Sequence, residues 1–163
     1  MSTQISRMQF LRGDFKGNEI PQRPPWAIDE NLFTEICTNC GECISQCPTH
    51  IIKQARAKYP VIDFASGECL FCEECVDVCK PQALLKNTQK SPWSIKASID
   101  KDVCIAHKGV ECRSCYDPCE ARAIMMPPRL GGISIPIISP DNCTGCGACY
   151  SVCPVQAVTI GLP

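Results

Sequence analysis

Sixteen cysteines in four groups of four constrain this chain more than any other feature. Three groups share the spacing Cys-x-x-Cys-x-x-Cys-x-x-x-Cys: Cys37, Cys40, Cys43 and Cys47; Cys69, Cys72, Cys75 and Cys79; and Cys143, Cys146, Cys149 and Cys153. The remaining group, Cys104, Cys112, Cys115 and Cys119, stands third in order and has a longer first gap. Three thiolates in one tight turn can cap three corners of an iron-sulfur cube, while the next cysteine reaches a neighbouring cube. The pattern predicts four 4Fe-4S clusters, with all sixteen cysteines as ligands and none left over.

Two other uses of cysteine fit less well. A disulfide framework goes with export and has no reason to repeat one eleven-residue grouping (37 to 47, 69 to 79, 143 to 153). Structural zinc favours two ligand pairs separated by a long loop, whereas here the third and fourth cysteines follow at once.

Assigning the cysteines to metal leaves few residues for an ordinary core. The chain has 163 residues, and aromatics make up only 6% of them. The core is expected to be largely inorganic, and folding to depend on cluster assembly. The formal charge is -1, to which four oxidised cubes with their thiolates would add roughly eight negative charges. Nucleic acid is therefore not an expected partner. The local run Lys80, Lys86, Lys90, Lys96 and Lys101 reads as a solvated connection.

No stretch is long and apolar enough to insert in a membrane. Ser6-Arg7-Met8-Gln9-Phe10-Leu11 is similar to a twin-arginine export signal, but Met8 replaces the second arginine and residues 12 to 19, with Arg12, Asp14, Lys16, Asn18 and Glu19, stand where the apolar stretch belongs. A cytoplasmic location is expected.

The repeat extends beyond the ligands. First cysteines lie 32, 35 and 39 residues apart (37 to 69, 69 to 104, 104 to 143). Four residues after each last cysteine comes Ile51, Ala83, Ala123 or Ala157, followed by Ile52, Leu84, Ile124 or Val158. Each repeat reads as a ligand loop, a short helical turn and a strand. Strands are expected at 61–64, 94–99, 133–135 with 137–138, and 158–160. Pro48 and Pro154 turn the chain after a last ligand, and Gly41, Gly145 and Gly147 admit unusual backbone angles beside one.

Paired motifs of this kind resemble the bacterial two-cluster ferredoxin, an α+β fold in which three cysteines of one motif and the last of the other hold each cube. The resemblance implies two small, loop-rich ferredoxin-like units. Residues 1–36 would be an N-terminal extension without ligands, 37–90 the first unit and 91–163 the second. Tandem pairing is the reading taken, on connection lengths. A nested pairing, first with fourth and second with third, stays open, because only the outer motifs carry the proline.

The third motif departs from the others. Seven residues, Ile105 to Glu111, separate its first two cysteines, and Arg113, Tyr116 and Asp117 stand near its ligands in place of glycine. One cluster is expected to differ in potential or lability. His50 and His107 read as solvated loop residues, since four cysteines already complete each set.

The four-motif layout with its stretched third member, Ser6-Arg7, and Arg23-Pro24-Pro25-Trp26 ahead of the first cysteine resemble the NapF family, ferredoxin-type accessory proteins of periplasmic nitrate reductase systems. The resemblance covers essentially the whole chain, with Met8 its one named departure. It implies a cytoplasmic iron-sulfur protein that meets the catalytic subunit of periplasmic nitrate reductase before export and assists its maturation. The residues alone indicate an electron carrier of four clusters, which is the alternative function. There is no nucleotide-binding glycine fingerprint, no P-loop and no nucleophile-base pair, so no catalytic residue and no enzymatic activity are expected. Trp26 is expected to pack back over the core, where its large ring is better placed than in water.

Overall fold

The computed structural model describes residues 21–55, 57–89 and 91–163. The region resembling an export signal, the start of the chain and Lys90 lie outside them.

Regular structure is sparse and short. Helix α1 spans Glu30–Ile36, α2 Glu42–Gln46, α3 Glu74–Asp77 and α4 Ala148–Ser151. Segments of four to seven residues cannot hold a helix in water, because nucleation is not repaid over so few bonds. Three of them follow a ligand loop, and their N-caps Gly41, Glu73 and Gly147 are all left-handed. Each therefore starts where the loop's reversal aims the chain, and carries the motif's third cysteine on its first turn.

The strands form three antiparallel pairs. β1 (Ile52–Gln54) pairs with β2 (Pro60–Ile62), β3 (Lys96–Ile99) with β6 (Val158–Gly161), and β4 (Ile124–Met125) with β5 (Ile137–Ile138). One topology occurs twice. In the second half the outer pair β3/β6 flanks both motifs, and the inner pair β4/β5 lies between them. In the first half β1/β2 is the inner pair, and the outer one shrinks to a single bridge, Ala27 to Leu84.

The expected strands at 61–64, 94–99 and 158–160 fall on β2, β3 and β6, each trimmed or shifted at its ends. Residues 133–135 are irregular, and only 137–138 pair. β1 and β4 were not anticipated, although both begin where β6 does in the repeat's own register: Ile52, Ile124 and Val158 are equivalent. Carrying the strand at 158–160 back through the repeat would have found both.

Packing follows the repeat closely. Ile51, Ile52, Ala83, Leu84, Ala123, Ile124, Ala157 and Val158 are all 3% exposed or less. Each pair is aimed inward by the same tight turn. His50, Gln82, Arg122 and Gln156, three residues after their last cysteines, take positive φ of 55°, 61°, 49° and 52° and donate their N–H to the carbonyl of that cysteine. Trp26 is buried, as expected. Arg23 fixes the strap that carries it, with a two-pronged ion pair to Glu30 and its guanidinium 4.8 Å from the centre of the Phe33 ring.

Candidate metal centres

Each motif's first three cysteines converge with the last cysteine of one other motif. Cys37, Cys40 and Cys43 line a cavity with Cys79, walled by Phe33, Val78 and Leu84. Cys69, Cys72 and Cys75 line another with Cys47, against Trp26, Ile51 and Ile52. Cys143, Cys146 and Cys149 do so with Cys119, beneath Ala97, Ala123 and Ile124. In the remaining set, Cys115 has Cys112, Cys104 and Cys153 as its neighbours. The cysteines are thus brought together in four sets, exchanging last members between the first and second motifs and between the third and fourth.

The stretched loop is how Cys104 reaches its set. Lys108 donates to the carbonyls of Cys104 and Ile105, and Val110 closes onto Ile105 at 3.0 Å. Ala106, 1% exposed, packs with Cys104 and Ala157. The seven residues of the longer gap form a closed turn that buries Ala106 and leaves residues 108–111 exposed, and Cys104 keeps its place in the set. His107 and exposed His50 stand outside the cavities described above.

The sulfurs meet main-chain donors. The N–H of Phe71 points to Cys69 Sγ at 3.4 Å, that of Leu84 to Cys79 at 3.3 Å, that of Ala97 to Cys143 at 3.4 Å and that of Ala157 to Cys153 at 3.2 Å. Such donors stabilise thiolate and cluster sulfur and raise the reduction potential.

Proton affinity separates the thiols. Burial, then the neighbouring cysteines, push Cys43, Cys75 and Cys149 up to about 12 from the ordinary 9.0. Burial raises Cys69 and Cys115 to about 11. For Cys47 burial also acts upward, but hydrogen bonds from the Thr49 side chain and the N–H groups of Ile52, Ile51 and Thr49 outweigh it, leaving the thiol below 9.0. Holding so many thiols together as thiolates needs compensating positive charge, and iron supplies it.

This donor set fits 4Fe-4S cubes: four sulfurs per set, apolar walls and N–H groups directed at sulfur. Among the described residues, no group of three or more His, Cys, Asp or Glu is arranged to hold a single metal ion. No helix of the described residues is long and apolar enough to cross a membrane.

Comparison with known proteins agrees with the donor chemistry. Residues 36–84 match one family model described as a 4Fe-4S dicluster domain, and residues 108–157 match a second of the same description, which leaves Cys104 outside the match. The chain is 38% identical to the ferredoxin-type protein NapF of Escherichia coli strain K12, over 98% of this chain and 96% of that protein. It is 40% identical to the ferredoxin-type protein NapF of Haemophilus influenzae, over 96% and 93% of the two chains. The ferredoxin-type protein NapG of Escherichia coli strain K12 is more distant, 31% identical over 85% of this chain and 68% of its own. With a 4Fe-4S dicluster domain in each half and likeness of this degree along nearly the full length, the chain belongs to the NapF family of ferredoxin-type iron-sulfur proteins.

Proposed function

We propose that the sixteen cysteines hold four 4Fe-4S clusters in two tandem ferredoxin-like units, 37–90 and 91–163, and that the protein is a cytoplasmic accessory factor in maturation of the catalytic subunit of periplasmic nitrate reductase. The observation that carries the cluster count is the convergence of four complete sets of four sulfurs. The exchange of last cysteines within each half, together with the twice-used strand topology, supports tandem over nested pairing. Likeness to NapF along nearly the full chain supports the maturation role.

Bound clusters would supply one-electron chemistry or iron-sulfur units. The chain's own residues hold the iron, exclude water with the apolar walls and set the potential through N–H donors to sulfur. None of them performs acid-base or nucleophilic chemistry in this reading, so the protein is not an enzyme. A general electron carrier is the second reading, favoured by the exposure of Cys40 and Cys72, which brings two sets close to solvent.

The two readings separate when protein loaded anaerobically with labelled iron is mixed with the cluster-free catalytic subunit. Label that moves to the subunit and restores its activity identifies a maturation donor. Label that stays while the subunit becomes reduced identifies an electron carrier. If the two proteins fail to associate, the assigned partner is wrong.

A further inference from the structure

We infer that the two halves are joined face to face through the second and fourth cysteine sets, so that the sets run through the molecule in the order first, second, fourth, third. Chain order would suggest a different row, with the second set handing on to the third. The inference rests on the reading of the cysteines as cluster ligands.

The junction is built from the ligand loops themselves. The N–H of Cys69 donates to the carbonyl of Cys146 at 2.8 Å, joining a second-set residue directly to a fourth-set one. Beside it Trp93 donates from Nε1 to the carbonyl of Thr144 at 2.8 Å. The Trp93 ring stacks edge-on with Phe64 at 5.8 Å and with Phe71 at 5.7 Å, and Phe71 in turn meets Trp26 at 6.3 Å. The fourth loop has no side chains where this aromatic layer presses on it. A Cβ on Gly147 would lie 2.0 Å from the Phe64 ring, and one on Gly145 would lie 2.9 Å from Trp93 Nε1 and 2.4 Å from the Ile95 carbonyl.

Phe71 holds a positive φ of 52° between Cys69 and Cys72, a left-handed conformation that Asn39 and Gly145 share at the same place in their own motifs, so the angle belongs to the loop. What is particular to Phe71 is its ring, which lies between Trp26 and Trp93 and so joins the loop to the seam. The remaining cross-links, from Trp26 N–H to the Pro92 carbonyl and from Gln22 Nε2 to the Ile160 carbonyl, tie the strap to the second half. Among the described residues, the hydrogen bonds that cross between the halves, Cys69 to Cys146, Trp26 to Pro92 and Gln22 to Ile160, involve no cysteine of the first or third set.

The protein is then one row of four sites and not two independent pairs, with the unusual third set at an end. The test is electron paramagnetic resonance of the reduced, cluster-loaded protein, alongside its iron and sulfide content. In the unsubstituted chain the spectrum should contain a magnetic interaction between the halves besides those within each half. Trp93→Ala should abolish the inter-half interaction while iron content and the within-half interactions stay unchanged. Trp93→Phe, which keeps a ring against Phe64 and Phe71 but loses the bond that seats it on Thr144 within the second half, should weaken the interaction and guards against a variant that misfolds. Full iron content with a spectrum that neither substitution alters overturns the junction. Iron content short of four cubes in the unsubstituted chain overturns the ligand reading beneath it.

Discussion

Glu73 and Gly147 stand at the same place in their motifs, directly after the second cysteine, and both hold left-handed backbone, with φ of 68° and 87°. At Glu73 the conformation costs about 1–2 kcal/mol. Glu73→Gly removes that cost and returns roughly 0.4–1 kcal/mol to the unfolded chain as entropy, so a net gain of about 0.5–1 kcal/mol is expected. The exposed ion pair between Glu73 and Lys86 is too weak to reverse the sign. Urea unfolding of the loaded protein checks it; a loss of stability would show that Glu73 does more than occupy the turn. Gly147→Ala should act in the opposite sense, losing about 3 kcal/mol, because it combines a left-handed alanine with a collision against Phe64.

The same residues show what could be read at this scale. The candidate ligands were legible because cysteine repeated at one fixed spacing has few uses other than holding iron-sulfur clusters. The left-handed turn at His50, Gln82, Arg122 and Gln156 was not, since none of them is glycine and nothing in their identity announces the angle. What fixes that angle is the demand that the last cysteine face one way and the next two residues face the core.

At the scale of elements, the third motif is the exception. The other three motifs each carry a short helix after the second cysteine, whereas residues 114–118 form only a turn. Arg113, in the position of Gly41, Glu73 and Gly147, is absent from the residues of positive φ. The loop therefore presents its amides to sulfur differently, and one reduction step is expected to stand apart from the rest in a redox titration followed spectroscopically. Four superimposed steps would contradict this. Phe64, in the short 3-10 turn Phe64–Ser66 after β2, is 5% exposed and holds the seam against Gly147. Truncation by Phe64→Ala should cost about 3–4 kcal/mol, read as a lower melting temperature. Strand pairing was partly legible here. The alternating 94–99 segment is β3, but its partner β6 lies about sixty residues away, a choice that local pattern does not encode.

At the scale of the whole molecule, the raised thiols make assembly sensitive to pH. They stay protonated at neutral pH, and a thiol must give up its proton to bind iron. Reconstitution in weak buffer should release protons, and cluster occupancy should fall as pH is lowered from 8 to about 6. Titration of iron and sulfide into the reduced chain, with a pH indicator present, measures both. Without iron the sign is reversed at the alkaline end. Cys43, Cys75 and Cys149 support the compact form fully while protonated, below 9.0, and that support is lost as pH rises toward about 12. Chelation of the iron near neutral pH should unfold the chain, because it removes the inorganic core and the few apolar residues left do not offset the entropy of ordering it; the readout is loss of circular dichroism with the visible absorbance.

The sequence by itself determined the donor chemistry, the grouping of the cysteines and the recurrence of an apolar pair after each motif, because each depends on spacing along a few consecutive residues. Which motif completes which set, how the stretched loop returns Cys104 to its place, and how the two halves meet through Cys69, Trp93 and Cys146 were decided only by the tertiary structure. Those features depend on where distant segments come to rest, and that is set by how the strand pairs, the aromatic layer and the small residues of the fourth loop pack against one another.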